Sequence, residues 1–421
     1  MSIRAAGALL VVVAVAGAGI VALASRAPAS VRARPDEPRA TDPSLGARFS
    51  AAQVARAAAY NGPRYLAVAV SVVLEIVALV VVATGPWAAG VARLARVPGG
   101  WAVHAAIGAV ALVALVTVVA LPLSYVRGFV MQHAWHLSTQ GLGGWLADWA
   151  RSLGVATVTS AIGAVAFFGV VRWQPRAWWL WGWAAFTVLT AIFVLLWPVV
   201  VAPLFNKFTP LRDQALAARA TELAHAAGVA VDEVLVADAS RRTSAQNAYV
   251  AGIGGTRRLV VYDTLLEDGD RDATLFVVAH ELGHEVEDHV VKGVALSSVG
   301  LFVGFAALAW VSRRPALWAW AAPAGVGDLR ALPLLMLFVA VMSLVALPVE
   351  NAVSRAFEGR ADAIAVELTE DPAAATRVLR RLALANVADL RPPTAAVVLL
   401  YGHPPIRERI QAVRAASGAR P

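Results

Sequence analysis

The sequence contains no cysteine among its 421 residues. This absence excludes a disulfide framework, a thiol nucleophile and every cysteine-ligated metal centre. Any metal or acid–base chemistry must therefore rely on histidine, aspartate and glutamate, and the chain has only eight histidines in which to look for it.

Charge is also scarce. Charged residues make up 15% of the chain and hydrophobic residues 59%, with a mean hydropathy of +0.66, whereas a soluble globular domain is usually about 25% charged. This composition is typical of an integral membrane protein, and we expect membrane lipids to surround it.

Lysine is nearly missing: Lys207 and Lys292 are the only two, so arginine carries the net charge of +8. In a soluble protein such basicity would suggest a nucleic-acid partner. Here the arginines mostly flank apolar runs, where a membrane protein places them, and we predict no nucleic-acid partner. The lysine-poor usage is typical of GC-rich bacterial genomes, which indicates a bacterial plasma membrane.

Long hydrophobic runs, in contrast, are abundant. A helix that crosses a ~30 Å hydrocarbon core needs about 20 apolar residues. Seven segments are long enough, and they cover residues 5–25, 66–84, 103–126, 153–171, 178–200, 293–312 and 331–348. The sequence therefore predicts a mostly α-helical, multi-pass membrane protein of about seven transmembrane helices.

The arginines also predict the orientation in the membrane. Segment 26–65 holds seven arginines, against Arg4 alone before the first span, and short basic loops stay in the cytoplasm. We expect the N-terminus outside and the polar segments in the cytoplasm. An alternative stays open, because Ala-Leu-Ala at 22–24 resembles a signal-peptidase site and the first span could be cleaved.

The hydropathy pattern divides the chain into four parts. They are a membrane part with five spans at 1–200, a polar part at 201–292, two further spans at 293–348 and a second polar part at 349–421. The first polar part predicts an amphipathic helix at 212–227, strands at 233–237 and within 245–263, and a helix from Asp270 or Asp272 to His289. We expect the two polar parts to form one domain with a small β-sheet.

Residues 280–284 read His-Glu-Leu-Gly-His. On a helix, His280 and His284 lie one turn apart on one face, so both imidazoles can bind one metal ion, and Glu281 lies beside them. A zinc ion with three protein ligands lowers the pKa of a bound water to about 7, and a neighbouring carboxylate can then accept its proton. The pattern predicts one Zn²⁺ per chain with Glu281 as general base; a chance match is expected about once in 200 such chains.

His289 is a tempting third metal ligand, because it follows the motif closely. It lies nine residues after His280, whereas the metzincin pattern needs a histidine at ten and a glycine at seven. We therefore interpret His289 as a helix-surface or interfacial residue.

A second candidate for the third ligand lies further along the chain. One stripe of a predicted helix carries four polar residues, Asn351, Arg355, Glu358 and Asp362. Such a stripe is usually a solvated polar face. Alternatively, Glu358 binds the metal and Asp362 accepts the N–H of a ligand histidine, in which case the rest of the stripe supports them.

The chain resembles the type I CAAX prenyl endopeptidases, seven-span zinc metalloproteases that include the prelamin-A-processing enzyme. The resemblance covers about residues 200–415. Six blocks carry it: Ala202–Leu211, Asn247–Tyr249, Leu259–Leu266, His280–His289, Ser354–Asp362 and His403–Arg409. Together these blocks are far more specific than the zinc motif alone.

The resemblance implies roles for residues outside the zinc motif. Glu358 matches the family's third zinc ligand, and Asp362 matches the residue that supports a ligand histidine. His403 matches a histidine that lines the catalytic site and helps to stabilise the oxyanion. An edge strand that pairs with extended substrate matches Asn247, Ala248 and Tyr249.

The resemblance also implies a zincin-like catalytic domain of the gluzincin type on a ring of seven membrane helices. The expected substrates are peptides or proteins, with lipid-modified C-termini as one class. Two alternatives remain. One is a membrane quality-control protease of the HtpX type, against which seven spans argue; the other is a non-hydrolytic membrane chaperone or binding protein of the same fold, against which the intact motif argues.

Overall fold

The computed structural model describes residues 3–32, 49–231, 233–251, 257–267, 269–321 and 323–416. These residues are mostly helical, with one four-stranded sheet. Helices dominate because an apolar run inside lipid must satisfy its backbone N–H and C=O groups within the segment itself.

Helices are the main secondary structure of the N-terminal part of the chain where it is described, beside an isolated β-bridge between Ser138 and Thr243. Its helices are α1 Ile3–Ala24, α2 Ala29–Arg32, α3 Ala51–Ala83, α4 Pro86–Leu94, α5 Trp101–Val119, α6 Leu121–Tyr125, α7 Met131–Ala134, α8 Leu142–Trp173, α9 Trp178–Leu196 and α10 Ala202–Phe205. Two π-helical stretches connect α6 with α7 and α9 with α10, at Val126–Val130 and Trp197–Val201. Five of the helices are long and apolar enough to span a membrane: α1, α3, α5, α8 and α9.

The C-terminal part combines the sheet with further helices. Its elements are β1 Phe208–Pro210, α11 Gln214–Ala226, β2 Glu233–Ala237, β3 Ala248–Ala251, β4 Arg258–Tyr262, α12 Asp263–Leu266, α13 Arg271–Val286, α14 His289–Ser312, α15 Leu332–Thr369, α16 Pro372–Ala385, α17 Thr394–Leu400 and α18 Ile406–Ala416. Helices α14 and α15 are long and apolar enough to be the sixth and seventh spans. The predicted mostly α fold with seven spans and a small sheet is confirmed.

The sheet has the strand order β1-β2-β4-β3. Strand β2 is antiparallel to β1 and parallel to β4, whereas β3 is antiparallel to β4, with Ala248 opposite Val261. Among the described residues β3 pairs with β4 only, so its other side is an open edge. The predicted strand at 233–237 and the pair within 245–263 are confirmed.

Helix α13 carries the His-Glu-Leu-Gly-His motif and packs its apolar face on the sheet. The Asp270 side chain accepts a hydrogen bond from the Ala273 N–H at 2.9 Å and so caps the helix N-terminus. The helix ends at Val286 because Asp288 adopts a left-handed conformation with φ of 49°. The prediction that this helix continues to His289 is wrong, since the chain turns at Asp288 and starts α14 there.

One hydrophobic core joins the two polar parts of the chain. It contains Leu259 and Phe276 from the first part and Leu379 and Ile410 from the second, all nearly inaccessible to solvent. Helix α15 runs without a break from the seventh span into this core, so the predicted boundary between 348 and 349 falls inside a helix.

Candidate metal centre

The site forms where α13 crosses α15 at very close range. A Cβ atom added to Gly283 would lie 2.9 Å from the Ala361 Cα and 3.0 Å from its carbonyl oxygen. Only glycine therefore permits this approach. The crossing brings the histidines on one face of α13 against Glu358, which lies one turn before Ala361 on α15.

Three side chains from these helices converge on one point. The His280 Nε2 atom lies 3.3 Å from His284 Nε2 and 3.3 Å from Glu358 Oε2, and His284 Nε2 lies 3.5 Å from Glu358 Oε1. Bonds of about 2.0–2.1 Å to a tetrahedral zinc ion put neighbouring ligand atoms about 3.3–3.4 Å apart. The three side chains therefore fit a metal of that size.

The polarity of these atoms also fits a cation. The His280 Nδ1 atom lies 2.9 Å from Asp362 Oδ1. When the ring proton is on Nδ1, His280 Nε2 directs a lone pair at Glu358 Oε2, a buried atom without a hydrogen-bond partner among the described residues. A metal cation such as zinc would satisfy both lone pairs if it lay between them.

Arg409 fixes Asp362 behind the first histidine. The Arg409 guanidinium donates to both Asp362 oxygens, from Nε at 2.7 Å and from Nη2 at 2.6 Å. Both partners are buried: Asp362 is 3% exposed, and the Arg409 side chain is 13% exposed. The sequence reasoning named Asp362 but gave Arg409 no role, although the residue lies within one of the six blocks.

His289 contacts the second histidine of the motif. Its Nδ1 atom lies 2.9 Å from His284 Nδ1, and its ring stacks on Phe357 with 4.0 Å between ring centroids. The residue is only 7% exposed, so the prediction of a helix-surface or interfacial residue is wrong. The left-handed turn at Asp288 reverses the chain and directs His289 back at the motif.

The histidines and Glu281 have strongly shifted pKa values. Burial alone lowers the pKa of His280, but the hydrogen bonds to Asp362 and Glu358 outweigh it and raise the pKa to about 9. Burial and the His280 charge lower the pKa of His284 to about 4, so this imidazole keeps its lone pair at neutral pH. Desolvation by the surrounding protein raises the pKa of the Glu281 carboxyl to about 7.

His403 reaches the same cluster from the C-terminal part of the chain. It lies between α17 and α18, with its Nε2 atom 3.2 Å from Glu358 Oε1. Its side chain is 65% exposed, so the ring contacts Glu358 while most of its surface is accessible to solvent.

Asn351 and Arg355, the other members of the predicted stripe, bond away from the histidines. The Asn351 amide donates to the Val398 carbonyl at 3.2 Å. The Arg355 Nη1 atom donates to the carbonyls of Val397 and Tyr401 at 2.9 and 2.8 Å. Both side chains thus hold the end of α17 and the start of the loop that contains His403.

The predicted substrate-binding residues lie at the open edge of the sheet. The Asn247 carbonyl accepts a hydrogen bond from the Tyr262 N–H at 3.0 Å, and Ala248 is 2% exposed in the core. The Tyr249 ring lies edge-on to Tyr262, 6.3 Å between centroids. Strand β3 contacts α13, so this edge runs beside the helix that carries the zinc motif.

A multi-pass helical fold and a His-Glu-Leu-Gly-His helix apposed to a glutamate define a membrane metallopeptidase. Residues 210–417 match Peptidase family M48, and residues 36–207 match the CAAX prenyl protease N-terminal region of five membrane helices. The chain belongs to Peptidase family M48 and is a membrane-spanning metalloprotease. The resemblance inferred from the six sequence blocks is confirmed.

Several relatives support the assignment. The uncharacterized metalloprotease YhfN of Bacillus subtilis is 33% identical over 299 residues, which are 70% of each chain. CAAX prenyl protease 1 of Saccharomyces cerevisiae is 32% identical over 209 residues, 49% of this chain and 46% of the yeast protein. The crystal structure of S. mikatae Ste24p superposes with a TM-score of 0.76 at 22% identity, over 96% of this chain and 98% of that one, which shows a shared fold.

Proposed function

We propose that this protein is a zinc-dependent endopeptidase with His280, His284 and Glu358 as the ligands of one zinc ion per chain. The observation that carries the proposal is the triangle of side chains formed by His280, His284 and Glu358. The two Nε2 atoms lie 3.3 Å apart, and they lie 3.3 Å from Oε2 and 3.5 Å from Oε1 of Glu358, distances close to the edge of a zinc tetrahedron. Membership in a metalloprotease family supports it further.

The side chains around this triangle have the chemistry that peptide hydrolysis requires. When bound, zinc supplies a Lewis acid that polarises the scissile carbonyl and acidifies a water molecule. Glu281 accepts the proton of the attacking water and passes it to the leaving amine. The exposed His403 ring donates a hydrogen bond to the carbonyl oxygen as negative charge develops there.

Three residues outside the triangle orient the two histidines. Asp362 accepts the Nδ1 proton of His280 and is itself held by Arg409. On the second histidine, the Nδ1 atom of His284 is contacted by the Nδ1 atom of His289. Partners of this kind fix the tautomer and direction of a ligand imidazole, so that both Nε2 atoms are aimed before the metal arrives.

The open edge of β3 is suited to bind substrate in an extended conformation. One side of β3 is covered by no described strand. Because Asn247 bonds to Tyr262 on β4, the alternation of an antiparallel pair directs the N–H and C=O groups of Ala248, between Asn247 and Tyr249, to that open side. A peptide that adds there as a further strand would make main-chain hydrogen bonds and present its scissile bond to α13. Main-chain pairing of this kind does not select the substrate's side chains, so any such preference would come from the residues around the bound peptide.

For the substrate class, we favour peptides and proteins with lipid-modified C-termini at the membrane. The yeast relative bears the name CAAX prenyl protease 1, and α15 passes directly from an apolar span to Glu358. Segment 26–65 and the bacterial relative YhfN support a bacterial plasma membrane with the catalytic part in the cytoplasm. The polar parts 201–292 and 349–421 would together form that catalytic domain.

The test is hydrolysis of a quenched peptide library by purified protein of known zinc content, with cleavage sites assigned by mass spectrometry. Glu281→Gln should retain zinc and lose hydrolysis by about 10²–10⁴-fold, as expected for a general base. Glu222→Gln is the same substitution at an exposed position of α11 and should change neither. A zinc-loaded wild-type protein that cleaves nothing would instead be a non-hydrolytic member of the fold.

The lipid preference needs its own comparison. Matched peptides with and without a C-terminal prenyl group are offered at equal concentration, and the prenylated one should be cleaved at a higher kcat/KM. Equal values would remove lipid recognition from the proposal and leave a general membrane-associated peptidase.

A further inference from the structure

Segment 387–401, which leads to His403, is fastened to the second membrane helix. Ala57, Asn61 and Tyr65 follow each other at a spacing of four and lie on one face of α3. Asn61 is 2% exposed, and its amide donates to the Val387 carbonyl at 2.8 Å. Val387 itself has a φ of 48°, which is a rare conformation for a β-branched residue. Helix α3 thus holds a strained corner of the catalytic part.

Tyr65 is at the centre of a directional chain of hydrogen bonds. Its hydroxyl lies 2.8 Å from Asp389 Oδ2 and 2.7 Å from the Tyr401 hydroxyl. A carboxylate only accepts, so the Tyr65 hydroxyl donates to Asp389 and accepts a hydrogen bond from the Tyr401 hydroxyl. Asp389 is 7% exposed, and its other oxygen accepts the Arg391 N–H at 2.9 Å. None of these groups takes part in the hydrolysis described above.

Both the side chain and the backbone of Tyr401 are hydrogen-bonded to membrane helices. Its side chain is bonded to Tyr65 on α3, and its carbonyl accepts from Arg355 on α15 at 2.8 Å. The next residue passes close to α15, since a Cβ on Gly402 would lie 3.1 Å from the Ser354 Oγ atom. The backbone that enters His403 is therefore clamped between two membrane helices.

The backbone that leaves His403 is equally restricted. Pro404 and Pro405 fix their own φ angles, and a residue before proline is confined to extended conformations. The His403 side chain is 65% exposed, so packing does not hold its ring. The ring therefore takes its position from the backbone on either side and from the contact of its Nε2 atom with Glu358 Oε1 at 3.2 Å.

We propose that Tyr65 is a positioning residue for His403. The inference rests on the proposed function, because it gives the exposed His403 ring its place in catalysis. Without the Tyr65 hydroxyl, Tyr401 loses its acceptor and the 401–403 turn loses its attachment to α3. A donor to a developing oxyanion acts at 2.7–3.1 Å, and a displacement of about 1 Å can cost ~100-fold in rate.

The same helix offers a matched control. Tyr60 is also a tyrosine of α3, but its hydroxyl bonds to Gln132 and its ring packs on Trp135. Tyr60→Phe removes a tyrosine hydroxyl from the same helix but breaks no hydrogen bond to the turn that contains His403. A purely structural effect of the substitution would be similar at the two positions.

The experiment compares Tyr65→Phe and Tyr60→Phe, each alone and combined with His403→Ala, in the full-length protein. Tyr65→Phe should lower kcat by about 10–100-fold at nearly unchanged KM and zinc content, and Tyr60→Phe should leave kcat as it is. With His403 already replaced, adding Tyr65→Phe should change nothing more, because the two residues act through one step. Tyr401→Phe breaks the same chain and should reproduce the loss if Tyr65→Phe folds poorly.

Two outcomes overturn the inference. In one, Tyr65→Phe and Tyr401→Phe keep the wild-type kcat. In the other, the losses from Tyr65→Phe and His403→Ala multiply, which would show that Tyr65 acts elsewhere. Both outcomes leave the zinc-dependent hydrolysis and its loss in Glu281→Gln untouched, whereas an inactive zinc-loaded wild type would remove the proposed function itself.

Discussion

Replacing Asp362 with asparagine tests how the first metal ligand is oriented. The Asp362 carboxylate serves two partners: it accepts twice from Arg409, at 2.7 and 2.6 Å, and lies 2.9 Å from His280 Nδ1. Asparagine has nearly the same shape, but it is neutral and has one accepting oxygen. Its one oxygen can take the place of Oδ1, which faces both His280 Nδ1 and Arg409 Nη2, but its NH₂ group then opposes the Arg409 Nε donor, and the negative charge that pairs with the guanidinium is lost.

Two separate losses follow from this geometry. Removing the group that orients a ligand histidine typically weakens metal binding by about 10–100-fold. Removing one partner of a buried ion pair destabilises a protein by about 3–5 kcal/mol, because the other charge stays buried without compensation. The upper part of that range applies here, since Asp362 is 3% and the Arg409 side chain 13% exposed.

A double variant separates the two losses. Asp362→Leu together with Arg409→Met replaces both charges by apolar groups of similar size, which often restores stability after a buried pair is lost. Zinc affinity should stay low, because leucine at position 362 offers His280 Nδ1 no acceptor. The measurements are the zinc Kd by competition with a chromophoric chelator and the apparent Tm in detergent.

The reasoning would be refuted in either of two ways. An unchanged zinc Kd in Asp362→Asn would show that the orientation of His280 does not depend on the carboxylate. Recovery of wild-type zinc affinity in the double variant would show that the single substitution acted through global stability alone.

Three further predictions follow from the site and the spans. Glu358→Ala should release zinc from the purified protein, whereas Glu367→Ala, on another face of α15, should keep it; equal zinc contents would exclude Glu358 as a ligand. His289→Phe keeps a ring of similar size but lacks the nitrogen that contacts His284, and its zinc Kd should rise by about 10-fold; an unchanged Kd would contradict that contact. Because the chain lacks cysteine, Ala324→Cys should react from outside the cell with a membrane-impermeant thiol reagent and Ala373→Cys should not; the reverse result would invert the predicted orientation.

The seven spans could be predicted because hydropathy alone determines them, but their ends could not. Helix α3 begins at Ala51, well before the predicted start at residue 66. Its first turns carry Gln53, Arg56 and Asn61, polar residues that would normally mark a solvated segment. All three are buried against other parts of the chain, and only the tertiary structure provides those contacts.

The sequence predicts those metal ligands that lie close together along the chain. His280 and His284 follow from helical spacing, whereas Glu358 is brought to them by the crossing of α13 and α15 at Gly283. Nothing in the local pattern around Gly283 indicates that a second helix passes within contact of its Cα. The stripe on α15 therefore remained ambiguous between a ligand and a solvated face.

The supporting residues escaped prediction for a different physical reason. His289 depends on a left-handed residue at Asp288, a conformation that aspartate adopts more often than most residues but that its sequence context does not require. Arg409 lies 47 positions after Asp362, on a helix whose packing against α15 no periodicity reveals. The spacing of four between Asn61 and Tyr65 was a usable signal of a polar face, but the segment that packs against it could not be found from spacing.

The spans of this protein do more than anchor a catalytic domain. Helix α15 has 38 residues and is therefore about 57 Å long, compared with a hydrocarbon core of ~30 Å. This one helix, which contains Pro348, supplies the seventh span, the proposed ligand Glu358 and the arginine, Arg355, that holds the turn before His403.

A tilt of α15 in the bilayer would therefore move Glu358 and the His403 turn together. The close contact between Gly283 and Ala361 makes α13 follow, and with it both histidines. Tyr65 and Asn61 add α3 as a second fixed point for the segment that ends at His403. Because every part of the site is attached to a membrane helix, segments 201–292 and 349–421 separated from their spans should not keep the ligand geometry that binds zinc.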